Sequence, residues 1–361
     1  MNRLFLRNQL CIPVKGYNRT IIYDILRKDY FFIPNEYYTI LNTNDFVQFL
    51  KIKDAEERLE LINFLLQEEI IFELSNPDQR KRFAPLDRSL HTPNRFSNLV
   101  VHSNIEHNFF DFIGEEYLMN ISIIAPELDA NLLKIVEKIN SLEIDGIYLY
   151  IENFNAELFE EYCEAFSFHQ LVFSVNFFST SITEKTKLIS NIYYNFFEES
   201  FADYKSKLTV DKLDINGEHF FEAYNYHSYY FGKIYIDATG DIKNGLNNSV
   251  SYGNIKSITK PQFLNIISSS AFLELGNIKK NNTLVCRDCE FRYMCVDSRV
   301  PLKGDGEWYH ETECRYNPFI SKWDDEPGYL NLSDSGITVS AAGNEINKTK
   351  LMREFKKAWS I

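Results

Sequence analysis

Four cysteines in the last third of the chain place the strongest constraint on its fold. They follow the spacing Cys286-x2-Cys289-x5-Cys295-x18-Cys314. A Cys-x2-Cys pair directs two thiolates at one centre from a single tight turn, and the later cysteines can complete a tetrahedral ligand set. The sequence therefore predicts a metal centre in this region, either a structural zinc ion or a [4Fe–4S] cluster, because both accept four thiolates. The alternative is four buried thiols without a metal.

Composition excludes several classes of function. The 361 residues carry a formal net charge of −13, and non-specific binding to nucleic acid needs Lys and Arg to replace the counterions of the phosphates. No stretch approaches the about 18 uninterrupted apolar residues of a membrane span. The N-terminal segment lacks the features of a secretory signal. We therefore expect a cytoplasmic protein that binds neither nucleic acid nor membranes, and whose six cysteines are not a disulfide framework.

Residues 1–76 show the pattern of a small module. Two short runs rich in β-branched and aromatic residues, which begin at Arg19 and Tyr30, predict a pair of strands joined by a polar turn. Hydrophobic spacing and capping residues predict helices over 36–41, 45–52 and 54–67, and a closing strand over 70–74. This order of elements predicts a winged-helix-like unit.

Strands alternate with helices after a short linker. Residues 77–95 contain prolines among basic residues and are predicted to be that linker. Strands are then predicted over 98–102, 120–125, 146–151 and 170–177, and helices over 105–117, 129–142 and 155–166. This alternation is typical of a parallel sheet covered by helices. The unit, residues 96–232, is shorter than the about 250 residues of a complete barrel, so we expect an α/β fold with an open sheet or a partial barrel.

The pattern changes in the last unit, residues 233–361. A strand, a turn at Gly240 and a returning strand predict a hairpin. A helix is predicted over 261–275, before the cysteines, and a short basic helix over 348–359.

Several segments in this unit resemble a known family. The unit contains Thr239-Gly240-Asp241-Ile242, Gly253-Asn254-Ile255 and Cys286-Arg-Asp-Cys289-Glu-Phe-Arg-Tyr-Met-Cys295. These segments resemble the SPASM domain, the iron–sulfur extension of radical SAM peptide maturases. More narrowly, the chain contains Cys11-Ile-Pro-Val-Lys-Gly16, Ile21-Ile-Tyr-Asp24, Cys289-Glu-Phe-Arg-Tyr293 and Cys314-Arg-Tyr-Asn-Pro318. With these it resembles the SPASM-domain maturases of grasp-with-spasm systems, which are encoded beside an ATP-grasp ligase that modifies a ribosomally made peptide.

The resemblance implies an architecture and a cofactor. Residues 96–232 would form a reduced radical-SAM-like partial (β/α) barrel, and residues 233–361 a SPASM-like domain. Cys286, Cys289, Cys295 and Cys314 match the complete ligand set of one [4Fe–4S] cluster of that domain. The ligands of its second cluster are absent, because the hairpin after Gly240 has no cysteine and the residues after Cys295 supply none.

A second departure concerns the catalytic cluster of the family. Radical SAM enzymes bind that cluster with a Cys-x3-Cys-x2-Cys triplet, whereas the only cysteines before Cys286 are Cys11 and Cys163. We therefore expect no SAM and no reductive cleavage of SAM by this chain, and we assign no catalytic residue.

Three further residues lie near the position where that triplet would fall. They are His102, Glu106 and His107. Only this proximity points to metal ligation, and a histidine at a helix start, such as His107, is more often a capped or surface residue.

The N-terminal module resembles the precursor-peptide recognition element of many maturases. An open strand edge can accept an extended peptide as an added strand, and a neighbouring helix offers pockets for its side chains. The predicted peptide-binding residues are Ile21, Ile22, Tyr23 and Asp24 on the strand, with Leu59 and Ile62 on the helix. The alternative, a winged-helix DNA-binding module, is disfavoured because residues 54–73 are strongly acidic.

The sequence thus predicts a maturation or accessory protein that binds a precursor peptide, holds one [4Fe–4S] cluster and works with an ATP-grasp ligase. Two alternatives stay open. One is a peptide-modifying enzyme with its own redox or transfer activity, and the other is a zinc-stapled peptide-binding protein.

Overall fold

The chain begins with small antiparallel sheets and short helices. The computed structural model describes residues 3–44, 46–92, 96–113 and 118–360. The first elements are β1 (Leu4–Arg7), β2 (Cys11–Lys15), β3 (Arg19–Asp24), β4 (Asp29–Pro34), α1 (Tyr38–Thr43), α2 (Ala55–Gln67) and β5 (Ile71–Leu74). In the described part of the chain, β2, β3 and β4 form an antiparallel sheet with β3 in the middle, here called the N-terminal sheet, and β1 pairs with β5.

Most elements predicted for this module are present. The predicted strand pair is β3 and β4, the closing strand is β5, and the longest predicted helix is α2, whose N-cap Asp54 accepts from the backbone N–H groups of Glu56 and Glu57. The helix predicted over 45–52 is a 3-10 helix at Phe46–Lys51, and residue 45 lies outside the described residues. Sequence reasoning missed β1 and β2, which are short, and β2 contains Pro13. The winged-helix-like assignment stays a prediction.

Both faces of the N-terminal sheet are buried. Ile22 and Ile33 pack beneath α2, which contributes Leu61, Ile62 and Leu65 to the same cluster. The opposite face packs against residues 291–294 and 316, in the cysteine region, and against 220–223. The sheet therefore depends on residues far along the chain for half of its burial.

A parallel sheet organises the middle of the chain. Its strands and flanking helices are β6 (Phe96–His102), α3 (Phe110–Ile113), β7 (Leu118–Ala125), α4 (Ala130–Ile139), β8 (Gly146–Ile151), α5 (Ala156–Ser167), β9 (Val172–Phe177), β10 (Thr186–Ile189), β11 (Ile192–Phe196), α6 (Phe201–Ser206), α7 (Gly217–Asn225), β12 (Lys233–Ile236) and β13 (Ile242–Lys243). Among the described residues the strand order is β10-β11-β9-β8-β7-β6-β12-β13, with only the outermost pair on each side antiparallel. This assembly is called the large sheet.

The large sheet confirms the predicted α/β class, and its strands β6, β7, β8 and β9 fall where the alternation placed them, whereas β10 and β11 were not predicted. Strand β12 pairs with β6, so the sheet extends across the boundary that the sequence placed between residues 232 and 233. The predicted hairpin with its turn at Gly240 is β12–β13. Of the helix predicted over 105–117, the structure describes a 3-10 turn and α3, and residues 114–117 lie outside the described residues. The radical-SAM-like and SPASM-like assignments stay predictions.

The last part of the chain contains little regular structure around the cysteines. Its elements are α8 (Lys260–Ile267), α9 (Ser270–Leu273), β14 (Leu302–Lys303), β15 (Trp308–Tyr309), β16 (Tyr316–Asn317), β17 (Lys322–Trp323), α10 (Leu332–Ser335), β18 (Ile337–Ser340), β19 (Gly343–Ile346) and α11 (Lys348–Ala358). The helix predicted over 261–275 is divided into α8 and α9, because the Ser269 side chain caps a new helix by accepting from Phe272 N–H. The predicted basic helix is α11. No helix among the described residues has the length and apolar character needed to cross a membrane.

The packing of α2 gives a stability prediction. Leu65 is fully buried under this helix, whereas Leu59 on the same helix is 53% exposed. Leu65→Ala is expected to lower the free energy of unfolding by about 2–5 kcal/mol, because it leaves a cavity in the core. Leu59→Ala, the matched control, is expected to change it by less than about 0.5 kcal/mol. Denaturant titration of both variants measures the difference, and equal losses would contradict this packing.

Candidate metal centre

The four spaced cysteines converge on one buried region. The segment that carries them, residues 280–316, is called the cysteine segment. Burial raises the pKa of Cys289 well above its ordinary value, and Glu290 and the other three cysteines raise it further. Burial also raises the pKa of Cys286 and of Cys295 to about 12. Because these thiols keep their protons at neutral pH, a metal that binds them must displace those protons.

The remaining cysteines lie elsewhere. Cys11 is buried on β2, where its sulfur lies 3.6 Å from Asp24 Oδ2, and Cys163 is buried on α5 in the core of the large sheet. Neither forms a disulfide, and all six cysteines are free thiols.

Two cations accompany the four cysteines, Lys280, which is buried, and Arg299, which is partly buried. Lys280 is 2% exposed, and its ammonium donates to Ser228 Oγ at 3.1 Å and to the carbonyl oxygen of Cys295 at 2.5 Å. Within the described chain, no carboxylate lies within ion-pair distance of this ammonium. Arg299 donates to both carboxylate oxygens of Asp297 and to Thr312 O. A buried ammonium that has only neutral partners is costly unless negative charge lies nearby, so the surroundings fit an anionic centre built from thiolates.

Asp297 and His310 lie beside Cys286. One ligand atom each of Cys286, Asp297 and His310 lie within 4.8 Å of one another. Among the described residues this is the one group of three or more such atoms that is so compact, and the four cysteine sulfurs do not form another. Burial alone would raise the pKa of Asp297, but Arg299 holds it well below its usual range. Burial and the charge of Arg299 lower the pKa of His310 to about 4. Sequence reasoning missed both residues, because neither stands at a ligand-like spacing from the cysteines.

A buried carboxylate joins the cysteine segment to the N-terminal sheet. Glu290, directly after Cys289, is fully buried and accepts from Arg19 Nε and from the Tyr316 hydroxyl, each at 2.6 Å. The Tyr23 hydroxyl donates to the carbonyl oxygen of Glu290 at 2.6 Å. An added Cβ at Gly16 would come within 2.7 Å of Glu290 Oε2, so this turn must pass close to the carboxylate as glycine. The cysteine segment and the N-terminal sheet therefore form one packed unit.

The structure corrects the predicted peptide-binding strand. Ile21, Ile22, Tyr23 and Asp24 lie on β3, which pairs with β2 on one side and with β4 on the other. All four side chains are buried. The expectation that this strand offers an open edge is wrong, because the sequence did not reveal β2 as a third strand. Strand β4 is an edge, since no strand of the described chain pairs with its outer side.

The predicted helix residues differ from each other. Leu59 is exposed on α2 and can contact a ligand, whereas Ile62 faces the core beneath the helix. Strand β4 lies close to this helix, because Phe31 of β4 packs edge-to-face against Phe64 of α2.

A cavity of about 780 Å³ separates the large sheet from the cysteine segment. The sheet lines it with Asn98, Ser122 and Tyr150, and the cysteine segment with Asp297, Arg299 and Cys314. His219 on α7 also lines it, and its buried Nε2 has no hydrogen-bond partner among the described residues. This volume is in the range of small-molecule sites, so the cavity can hold a ligand next to Cys314.

The residues near the expected position of the catalytic triplet have separate partners. His102 Nε2 lies 2.9 Å from the Tyr235 hydroxyl, and His107 Nε2 lies 3.2 Å from Asn131 Oδ1. Glu106 is the N-cap residue of a 3-10 helix, without a side-chain capping bond. The structure does not bring these three side chains into a ligand group within the described chain.

Two comparisons with known proteins were informative only in what they did not find. No protein-family model matches the chain, and a search of curated proteins gives no significant match.

The Glu290 contact generates a stability prediction. Arg19→Ala leaves a fully buried carboxylate without its cation, and we expect it to lower the free energy of unfolding by about 3–5 kcal/mol. Arg3→Ala removes the arginine of an exposed pair with Glu73 and serves as the matched control, for which little change is expected. Thermal and denaturant unfolding of both variants test this. Similar losses in the free energy of unfolding for the two substitutions would show that the buried pair contributes no more to stability than an exposed pair.

Proposed function

We propose that this chain is a maturation protein for a ribosomally made peptide. It binds the precursor through residues 1–76, holds one [4Fe–4S] cluster on Cys286, Cys289, Cys295 and Cys314, and acts with an ATP-grasp ligase. The observation that carries the proposal is the packing of the N-terminal sheet against the cysteine segment through Glu290. This packing supports a function in which the peptide-binding module and the metal centre act together on the same precursor.

Two observations favour a cluster over zinc. A zinc ion with Zn–S bonds of about 2.3 Å would bring four sulfurs to about 3.8 Å from one another, which is more compact than the arrangement of these cysteines. Lys280 and Arg299 surround the cysteines with positive charge. Four thiolates on a cluster carry negative charge, which the buried ammonium of Lys280 lacks among its hydrogen-bond partners. The cluster would then be structural or an electron relay.

Strand β4 is the better docking edge for the precursor. Its outer side is unpaired within the described residues, Phe32 on it is 38% exposed, and the Arg19 guanidinium lies 3.6 Å from the centre of that ring. An extended peptide can add to this edge as a further strand. The exposed surface of the neighbouring helix α2 carries Glu56 and Glu60, so a basic segment of the precursor would be favoured there.

One observation favours the second candidate, a peptide-modifying enzyme. The cavity beside Cys314 is large enough for a ligand and has the unpartnered His219 in its wall. A ligand in this cavity would lie against the metal centre, where a redox or transfer step can occur.

Metal analysis tests the cofactor. We expect the chain purified without oxygen to carry about four irons, with broad absorbance near roughly 400 nm. Chelation of the iron is expected to destabilise the chain, since metal binding to a preformed set of thiolates contributes folding free energy. A colourless protein with one zinc ion would overturn the iron–sulfur assignment and leave the zinc-stapled alternative.

Two edge-strand variants test the docking site. Phe32→Asp is expected to weaken binding of the precursor peptide by at least about tenfold, or about 1.4 kcal/mol, because it places a charge on the docking edge. Leu188→Asp is the matched control, since Leu188 is an exposed residue of β10, an outer strand of the large sheet. Calorimetric titration of both variants measures the affinities, and equal affinities would remove β4 from the proposal.

Mass analysis of the precursor separates the helper from the enzyme. The precursor is incubated with the chain alone and with the chain plus ligase. We expect a mass change only when the ligase is present, and a change produced by the chain alone would support the enzyme instead.

A further inference from the structure

One corner of the metal centre has more donor atoms than four cysteines supply. Cys286 shares a compact group with Asp297 and His310, all within 4.8 Å, whereas in the described chain Cys289, Cys295 and Cys314 belong to no such group. The hairpin β14–β15 produces this arrangement, because it reverses the chain after Val300 and returns His310 to the side of Asp297. The four cysteines are therefore not equivalent.

The hydrogen bonding of His310 directs a lone pair at this corner. His310 Nδ1 lies 3.3 Å from the carbonyl oxygen of Val300, and a carbonyl can only accept. Nδ1 therefore carries the proton of the neutral ring, and Nε2 keeps its lone pair. Metal-binding histidines usually donate their other ring N–H to a carbonyl or carboxylate in this way, which fixes the tautomer and the ring orientation.

The group that faces this lone pair is also an acceptor. His310 Nε2 lies 3.6 Å from Asp297 Oδ2, and both side chains are nearly inaccessible to solvent, at 5% and 3% exposure. Two acceptors that face each other in a buried site repel unless a cation lies between or beside them. Arg299 already donates to Oδ1 and Oδ2 and shares the charge of Asp297, so His310 is the stronger free ligand of the two.

We propose that His310 is a reserve ligand of the metal centre, able to bind through Nε2 the iron that Cys286 binds. The proposal rests on the proposed cluster and assigns a further residue to it. The exchange breaks one iron–sulfur bond and forms one iron–nitrogen bond. The electron pair of the broken bond stays on sulfur, the released thiolate takes a proton from a water molecule, which becomes hydroxide, and no oxidation state changes. The ring has space to shift, because His310 lines a cavity of about 290 Å³ together with Arg299 and Cys314.

Paired alanine variants of the full chain test this role. Wild type, Cys286→Ala, Cys289→Ala, His310→Ala and the double variant Cys286→Ala/His310→Ala are reconstituted anaerobically with iron and sulfide. We expect wild type and His310→Ala to keep the cluster absorbance and iron content. Cys286→Ala is expected to keep them as well, through His310, whereas Cys289→Ala and the double variant lose them. Circular dichroism checks that each variant is folded, and Cys286→Val, which also offers no ligand, replaces Cys286→Ala if the alanine variant does not fold.

A spectroscopic signature separates ligation from a purely structural effect. In the reduced Cys286→Ala variant, pulsed paramagnetic resonance is expected to show coupling to a histidine ¹⁴N nucleus that the wild type lacks. Retention of iron without this coupling, or its retention in the double variant, would overturn the role of His310. Equal loss of iron from the Cys286 and Cys289 variants would overturn it too, while leaving the wild-type cluster intact. A wild-type chain that binds no iron would instead overturn the proposed function itself.

Discussion

The buried carboxylate of Glu290 is the contact on which the arrangement of this molecule depends. It lies inside the cysteine spacing, yet its partners Arg19 and Tyr23 belong to the N-terminal sheet. A carboxylate without exposure is stable only when it is paired and hydrogen-bonded. Since the same residue follows a predicted metal ligand, the position of the loop that would bind the metal and the position of the first sheet are set together.

The cysteine segment also contains buried charge that needs a partner of opposite sign. Lys280 is buried with neutral hydrogen-bond partners, and Arg299 forms an ion pair with Asp297. The thiols raise one another's pKa while they are free. A buried ammonium without a negative partner is unfavourable, and burial opposes ionisation of the thiols; binding of a metal by thiolates would offset both costs.

Local patterns carried the predictions that succeeded. The alternation of strands and helices was visible because each buried strand is a short apolar run, and caps such as Asp129 and Asn155 mark the helices between them. Strand β2 was not visible, because it is short and contains Pro13, and its absence from the prediction made β3 look like an edge. The candidate metal centre was predicted from the spacing of the four cysteines alone.

Features formed by distant residues were beyond such patterns. The pairing of β12 with β6 joins strands whose neighbouring residues Ser97 and Gly232 are 135 positions apart. Lys280, Asp297 and His310 lie in the cysteine segment itself, but no spacing rule predicts that they are buried beside the cysteines. Burial decides their role, and burial is a property of the tertiary structure.

The long separation between Arg19 and Glu290, 271 positions, has a consequence for biosynthesis. The N-terminal sheet leaves the ribosome well before the segment that covers its second face. Until then Ile12, Val14 and Ile21 present an apolar surface without its final partner, and such surfaces promote aggregation of incomplete chains. A product truncated before the cysteine segment is thus expected to be a client of chaperones, and not a free-standing peptide-binding domain.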